Sequence, residues 1–188
     1  MLAYKNHINE LQNRIGDNSD QAAFKELYYM LYKELFRFAT VFVYEKELAE
    51  EVIQDVFTKL WSQREKLSHI NNLKVYLYSA VKNAAINYRK KYPLQSLSNP
   101  NLSAIELGYN NQTPEHLMIS AQMVAQINSS IQSMPPKCKL VFLMVKEDQL
   151  KYREVADILN ISIKTVETQM GIALKKMNTA LQMHLPIK

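Results

Sequence analysis

Residues 152–177, YREVADILNISIKTVETQMGIALKKM, constrain the fold more than any other stretch, because they read as two short helices joined by a tight turn. In the first, Val155, Ile158 and Leu159 recur at helical spacing, while Arg153, Glu154 and Asp157 fall on the opposite side. Ala156 is small enough for a second helix to cross close by. Asn160 stands where the chain leaves the first helix, and Asn tolerates the left-handed conformation such a turn needs. Ile161 can plug the corner. Ser162 is a strong N-cap for a second helix, in which Val166 and Met170 lie one turn apart and face inward. Lys164, Thr165, Glu167, Thr168 and Gln169 are left pointing outward near the start of that helix, the end that a recognition helix inserts into the DNA major groove. Lys175 and Lys176 follow, placed to meet phosphates. A plain helical hairpin in a bundle has the same apolar pattern. Small residue, turn residue, cap and polar first turns together favour DNA binding.

The remainder of the chain points to an all-α protein, since it has only three glycines and no long alternating apolar and polar run. Its 188 residues suffice for one domain or two small ones, and a hydrophobic content of 47% is ample for packed cores. The formal charge of +5 suits an anionic partner without requiring one. The single cysteine, Cys138, lies in the apolar stretch CKLVFLMV and reads as a buried, inert thiol in a reducing cytoplasm. The N-terminal MLAYKNHINE has no apolar signal core, and no apolar run is long enough to insert into a membrane. His7, His69, His116 and His184 are scattered, with no metal-ligand spacing, no Gly-rich phosphate loop and no paired nucleophile and base. Neither a metal, another cofactor nor an enzymatic activity is expected.

The first half divides into four helical stretches. Residues 6–15 form a short helix that Gly16 and the polar DNSD should stop. A longer one spans about Asp20 to Tyr44, with Phe24, Leu27, Tyr28, Leu31, Leu35, Phe38, Ala39 and Phe42 on one stripe. In residues 47–63, Val52, Ile53, Val56, Phe57 and Leu60 make an apolar stripe, while Glu50, Glu51, Gln54, Asp55, Thr58 and Trp61 occupy the rest. That surface could be a plain solvated face, although a Trp at its edge is the kind of anchor protein interfaces use. After a break over residues 66–72, Asn71 or Asn72 can cap a helix running from Leu73 to Tyr92. Leu73, Leu77, Ala80, Val81, Ala84 and Ala85 can pack inward there. Tyr76, Lys82, Asn83, Ile86, Asn87, Arg89, Lys90 and Lys91 form an outer surface of rings, amides and bases that suits single-stranded nucleic acid. Basic residues also suit a helix C-terminus for dipole reasons alone.

Charge separates these surfaces. Residues 45–55 hold five acids and one base, whereas residues 82–91 hold four bases and no acid, which points to two different partners. Pro93 ends the basic helix. Residues 93–113 carry one acid and no base among many Ser, Asn and Gln, the composition of a flexible linker, which at full extension reaches about 70 Å. Thr113, Pro114 and Glu115 then start a helix that runs to about Ile131. Ser133 to Pro136 breaks it and starts another, Pro136 to Val145, and a polar turn, KEDQLK, leads into the hairpin.

The stretches AEEVIQDVFTKLW and YLYSAVKNAAINYRKK resemble region two of the extracytoplasmic-function (ECF) sigma factors, and SMPPKCKLVFLMV with the hairpin resembles their region four. The likeness spans about Asp20 to Met183. It implies two small helical domains, residues 1–92 and 114–188, joined by a linker at 93–113. It also implies a subunit that directs core RNA polymerase to promoter DNA and helps melt the minus-ten element. Core-polymerase contacts fall to Gln54, Asp55, Thr58 and Trp61. Minus-ten contacts fall to a pocket loop with His69, Asn71 and Asn72, then to Tyr76, Lys82, Asn83, Asn87, Arg89 and Lys90, with Asn83 at the position that reads a flipped base. Minus-thirty-five contacts fall to Lys164, Thr165, Glu167, Thr168, Gly171 and Lys175. A further implied partner is an anti-sigma factor, often membrane-anchored, that masks both DNA-binding domains. Tyr76 stands where many relatives have Trp, and Glu167 where a base is common; an acid there could accept from cytosine. Gly171 costs about 1 kcal/mol relative to Ala within a helix, which close approach to DNA or tight packing could explain. The alternative is a helix-turn-helix transcriptional regulator that does not engage core polymerase.

Overall fold

A computed structural model describes the backbone of residues 2–92 and 121–182 and the side chains of residues 4–92 and 125–179. The chain divides into two compact units, Met1–Ile105 and Glu106–Lys188. Among the described residues, every regular element is a helix.

The first unit holds α1 (Leu2–Asn18), α2 (Gln21–Val43), α3 (Lys46–Ser62), a 3-10 helix (Arg64–His69) and α4 (Leu73–Lys91). The central element is α2, which packs against α1, α3 and α4. Its Leu27, Leu31, Leu35 and Phe38 are buried, together with Val52, Ile53 and Val56 of α3 and Leu77 and Val81 of α4. Each such side chain contributes about 1.5–3 kcal/mol of burial; of the expected stripe, Leu27, Leu31, Leu35, Phe38 and Ala39 are core, while Phe24, Tyr28 and Phe42 are half-buried. Capping fixes the ends. The Asp20 carboxylate accepts from the Ala22 and Ala23 amides at 2.9 and 3.0 Å, and Tyr44 closes α2 in the left-handed conformation. The Asn72 side chain accepts from the Val75 amide at 3.2 Å and opens α4.

The first helix departs from expectation. Gly16 does not stop it; α1 continues to Asn18 and ends where Ser19 turns left-handed, at φ 51°. Gly16 sits where α1 crosses the 3-10 helix, and a Cβ there would lie 3.4 Å from the Arg64 carbonyl oxygen. That distance is ordinary van der Waals contact, so Gly16 neither ends the helix nor is demanded by the crossing.

The second unit holds α5 (Ala121–Gln132), α6 (Pro136–Lys146), α7 (Tyr152–Leu159) and α8 (Ile163–Gln182). The helix start expected at Thr113 to Glu115 and the linker at 93–113 lie outside the described residues. The apolar positions of the hairpin, Val155, Ala156, Ile158, Val166 and Met170, are buried with Cys138, Val141 and Phe142 of α6. Asn160 is left-handed (φ 54°, ψ 49°), and the Ile161 amide donates back to the Ala156 carbonyl at 3.1 Å, closing the end of α7. The Ser162 hydroxyl accepts from the Thr165 amide at 3.0 Å, the N-cap bond of α8. The KEDQLK segment is less polar in role than in composition, because Asp148 and Leu150 are buried and Gln149 is left-handed.

Candidate nucleic-acid and protein interfaces

One side of α4 carries Tyr76, Asn83, Asn87 and Lys90, all exposed, at intervals of seven, four and three residues that keep them in line along the helix. Tyr76 is 41% exposed, unusual for a large ring inside a packed helix, and Ile86 lies beside this line. The arrangement offers a ring for stacking, two amides for base edges and a cation for the backbone. His69 and Asn71 are exposed in the segment just before α4, while Asn72 engages its side-chain oxygen in the cap.

One basic residue, Lys82, departs from the expected outer surface. Lys82 is 8% exposed, and burial depresses its ammonium pKa. It follows Lys74 and Tyr78 at one-turn intervals, on the side of α4 where Lys74 bonds Glu34 of α2 at 2.6 Å and Tyr78 packs on Phe38. Helical phase therefore removes Lys82 from the exposed line. Arg89 is exposed, but its guanidinium lies over the Tyr44 ring at 4.9 Å, at the edge of that surface.

The segment ahead of α4 is held from behind. Gln12 of α1 is buried and donates from Nε2 to the carbonyls of Leu67 and Ile70 at 2.6 and 2.7 Å. Arg64 donates to the Ser19 hydroxyl at 2.7 Å and to the Trp61 carbonyl at 3.2 Å. No sequence signal marks the Gln12 and Ser19 contacts, which join residues far apart in the chain.

On α3, Glu50, Glu51, Gln54, Asp55 and Thr58 are exposed together, a continuous acidic and polar face. Trp61 is not a protruding anchor. It is half-buried, with its ring 4.9 Å from that of Phe24 and the Arg64 guanidinium 5.0 Å from its centre. The Tyr88 hydroxyl of α4 donates to the Asp55 carboxylate, and this bond, with burial and the acid's charge, pushes the phenol up to about 12.

On α8, Lys164, Thr165, Glu167, Thr168, Gly171 and Lys175 are all exposed. Lys164 pairs with Glu167 at 3.3 Å, and the Thr168 hydroxyl bonds the Lys164 carbonyl at 2.9 Å. A Cβ added at Gly171 meets nothing within 4 Å, so packing among the described residues does not explain that glycine. Gln169 is half-buried rather than outward, and its carbonyl accepts from the buried Cys138 thiol at 3.3 Å. Burial raises that thiol's pKa and keeps it protonated and inert. Lys176 donates to the Ser133 carbonyl at 2.7 Å, so it ties α8 to the end of α5 rather than standing free for phosphate. Among the described residues, no cluster of His, Cys, Asp and Glu could hold a metal, and no helix is long and apolar enough to cross a membrane.

Comparison with known proteins matches the two units separately. The family model for sigma-70 region 2 matches residues 27–92, and that for sigma-70 region 4 matches residues 125–177. The ECF RNA polymerase sigma factor SigM of Bacillus subtilis (strain 168) is 23% identical over 137 residues, covering 73% of this chain and 82% of that protein. SigW of the same organism, also an ECF RNA polymerase sigma factor, is 23% identical over 158 residues, covering 80% and 84%. Two solved structures share the fold. CnrH in complex with the cytosolic domain of CnrY superposes with a TM-score of 0.53 at 18% identity, covering 95% of this chain and 99% of that one. The sigma factor RpoE, in complex with the anti-sigma factor NepR from Bartonella quintana, gives 0.52 at 15% identity, covering 86% and 98%. With region 2 and region 4 both present and in that order, the chain belongs to the sigma-70 family and is an RNA polymerase sigma factor of the ECF type.

Proposed function

We propose that this sigma factor divides its work among three surfaces. Residues 1–92 hold two of them and residues 114–188 the third, with 93–113 as the tether. The acidic face of α3, with Gln54, Asp55 and Thr58 at its centre, docks on core polymerase; Trp61 supports that face from within. The exposed line of α4, with His69, Asn71 and Asn72 ahead of it, receives the separated strand of the minus-ten element, and Asn83 reads a flipped base. Tyr76 stacks, Asn87 and Lys90 hold the strand, and Arg89 flanks it. Lys82 is a structural residue of the unit. In the second unit, Lys164, Thr165, Glu167 and Thr168 face the minus-thirty-five element, Gly171 allows the backbone to approach it, and Lys175 meets phosphate.

The observation that carries this assignment is the segregation of groups in the first unit: α3 presents acids while α4 presents a ring, amides and cations. Duplex DNA repels the former, and a separated strand suits the latter. A regulator that never meets core polymerase accounts for α7 and α8 but leaves both α3 and α4 without a purpose. The protein acts in the cytoplasm, without membrane insertion and with no catalysis of its own. An anti-sigma factor is its natural inhibitor, a reading supported by the complex of RpoE with NepR.

Separate variants test the division. Asn83→Ala should leave core-polymerase affinity unchanged and lower promoter opening by about tenfold, the worth of one good base contact. Asp55→Arg should instead weaken assembly with core. Equal loss of assembly and opening in both variants would contradict separate surfaces.

A further inference from the structure

We propose that α1 is a brace that fixes the base-capturing segment before DNA arrives, and that Gln12 is its positioning residue. This rests on the assignment of His69 to Asn72 to the promoter pocket. The motivating geometry is a buried side-chain amide aimed at two backbone carbonyls. Gln12 is 5% exposed, and its Nε2 lies 2.6 Å from the Leu67 carbonyl oxygen and 2.7 Å from that of Ile70. Those carbonyls bracket Ser68 and His69, at the point where the 3-10 helix ends and the chain turns toward α4. The Leu67 carbonyl already accepts from the Ile70 amide at 2.9 Å and takes Gln12 as a second donor, while the Ile70 carbonyl lies past the helix end, where no intrahelical partner follows. The primary amide has two hydrogens on one nitrogen, so it can serve both carbonyls at once.

The neighbouring contacts make α1 a fixed reference. Ile8, Leu11 and Ile15 are buried, which seats the helix in the core of the unit. One turn beyond Gln12, Gly16 lies against the same segment, where a Cβ would make ordinary contact at 3.4 Å from the Arg64 carbonyl oxygen. Just past the end of α1, the Ser19 hydroxyl accepts from Arg64 at 2.7 Å. Gln12 and Ser19 thus hold the end and the start of one short segment. Residues that touch the base need their carriers held to a fraction of an ångström, and a brace seated in the core supplies that order before binding. The region 2 match begins at residue 27, so this brace lies outside the family-matched stretch.

The test measures base discrimination by holoenzyme, not stability. Gln12→Met keeps the volume and removes both donors; Gln12→Asn keeps the amide but shortens its reach. Ile15→Val is a core control in the same helix that leaves both carbonyls bonded. Each is assembled with core polymerase, corrected for the assembled fraction, and assayed for opening of duplexes that differ only at the captured base. Both Gln12 variants should discriminate about tenfold less well than the parent, with unchanged core affinity, while Ile15→Val discriminates normally. Parent-like discrimination by Gln12→Met overturns the brace, as does equal loss in Ile15→Val. Failure of both Gln12 variants to assemble also counts against it, because a brace predicts a folded but imprecise subunit. If Asn83→Ala also opens and discriminates normally, the pocket assignment itself has failed; a defective Asn83→Ala beside a normal Gln12→Met removes only the brace.

Discussion

At the scale of single residues, the link between Asp55 and Tyr88 joins α3 and α4, the helices proposed to meet polymerase and DNA. The phenol is pushed up to about 12, first by its hydrogen bond to Asp55, then by burial and the negative charge. A raised folded-state value means that the bond's contribution to stability is complete below the ordinary tyrosine pKa and is lost as pH rises through about 12. At neutral pH the bond is therefore intact. Absorbance titration of the phenolate should find one tyrosine near pH 12, and Asp55→Asn should bring it back toward the ordinary 10.0; an unmoved titration would mean that the two groups do not interact in solution. Tyr88→Phe separates two roles of Asp55, because it removes the bond and keeps the carboxylate. Core assembly should survive Tyr88→Phe and fail in Asp55→Arg.

At the scale of elements, the proposed reading of α8 pairs a base-reading start with a phosphate contact at Lys175. Lys175 is exposed, and Lys176, also exposed, bonds the Ser133 carbonyl. Lys175→Ala should weaken binding about equally across DNA sequences and reduce the salt slope of log affinity by about one, as loss of one phosphate contact requires. An unchanged slope removes Lys175 from the interface. Within single elements the sequence was a good guide, because periodicity and capping are local. The left-handed Asn160, the Ser162 cap, the Asn72 cap and the buried stripes of α2 and α3 all follow from residues within a turn or two of one another. It failed where distant segments meet. Gly16 looked like a stop, yet α1 runs on to Asn18, with Gly16 against a 3-10 helix far along the chain. Lys82 looked exposed because lysines usually are, while its burial depends on the face of α4 turned to the core. Gln12, bonded to carbonyls 55 and 58 residues away, carried no local signal at all.

At the scale of the whole molecule, region 2 lies in the first unit and region 4 in the second, the order on which the proposed division of labour rests. Residues 1–92 carry 14 bases and 11 acids, and residues 114–188 carry nine and six, so each segment is net positive by three. α3 carries Glu47, Glu50, Glu51 and Asp55, whereas α4 carries no acid. The most direct measurement mixes the purified protein with catalytic core polymerase and a genomic library of duplex fragments, then maps transcript starts. Discrete starts that require both components, preceded by a melted segment at fixed distance, are the expected result. DNA binding by the subunit with no core-dependent opening at any fragment would contradict the assignment of α3 and α4 together.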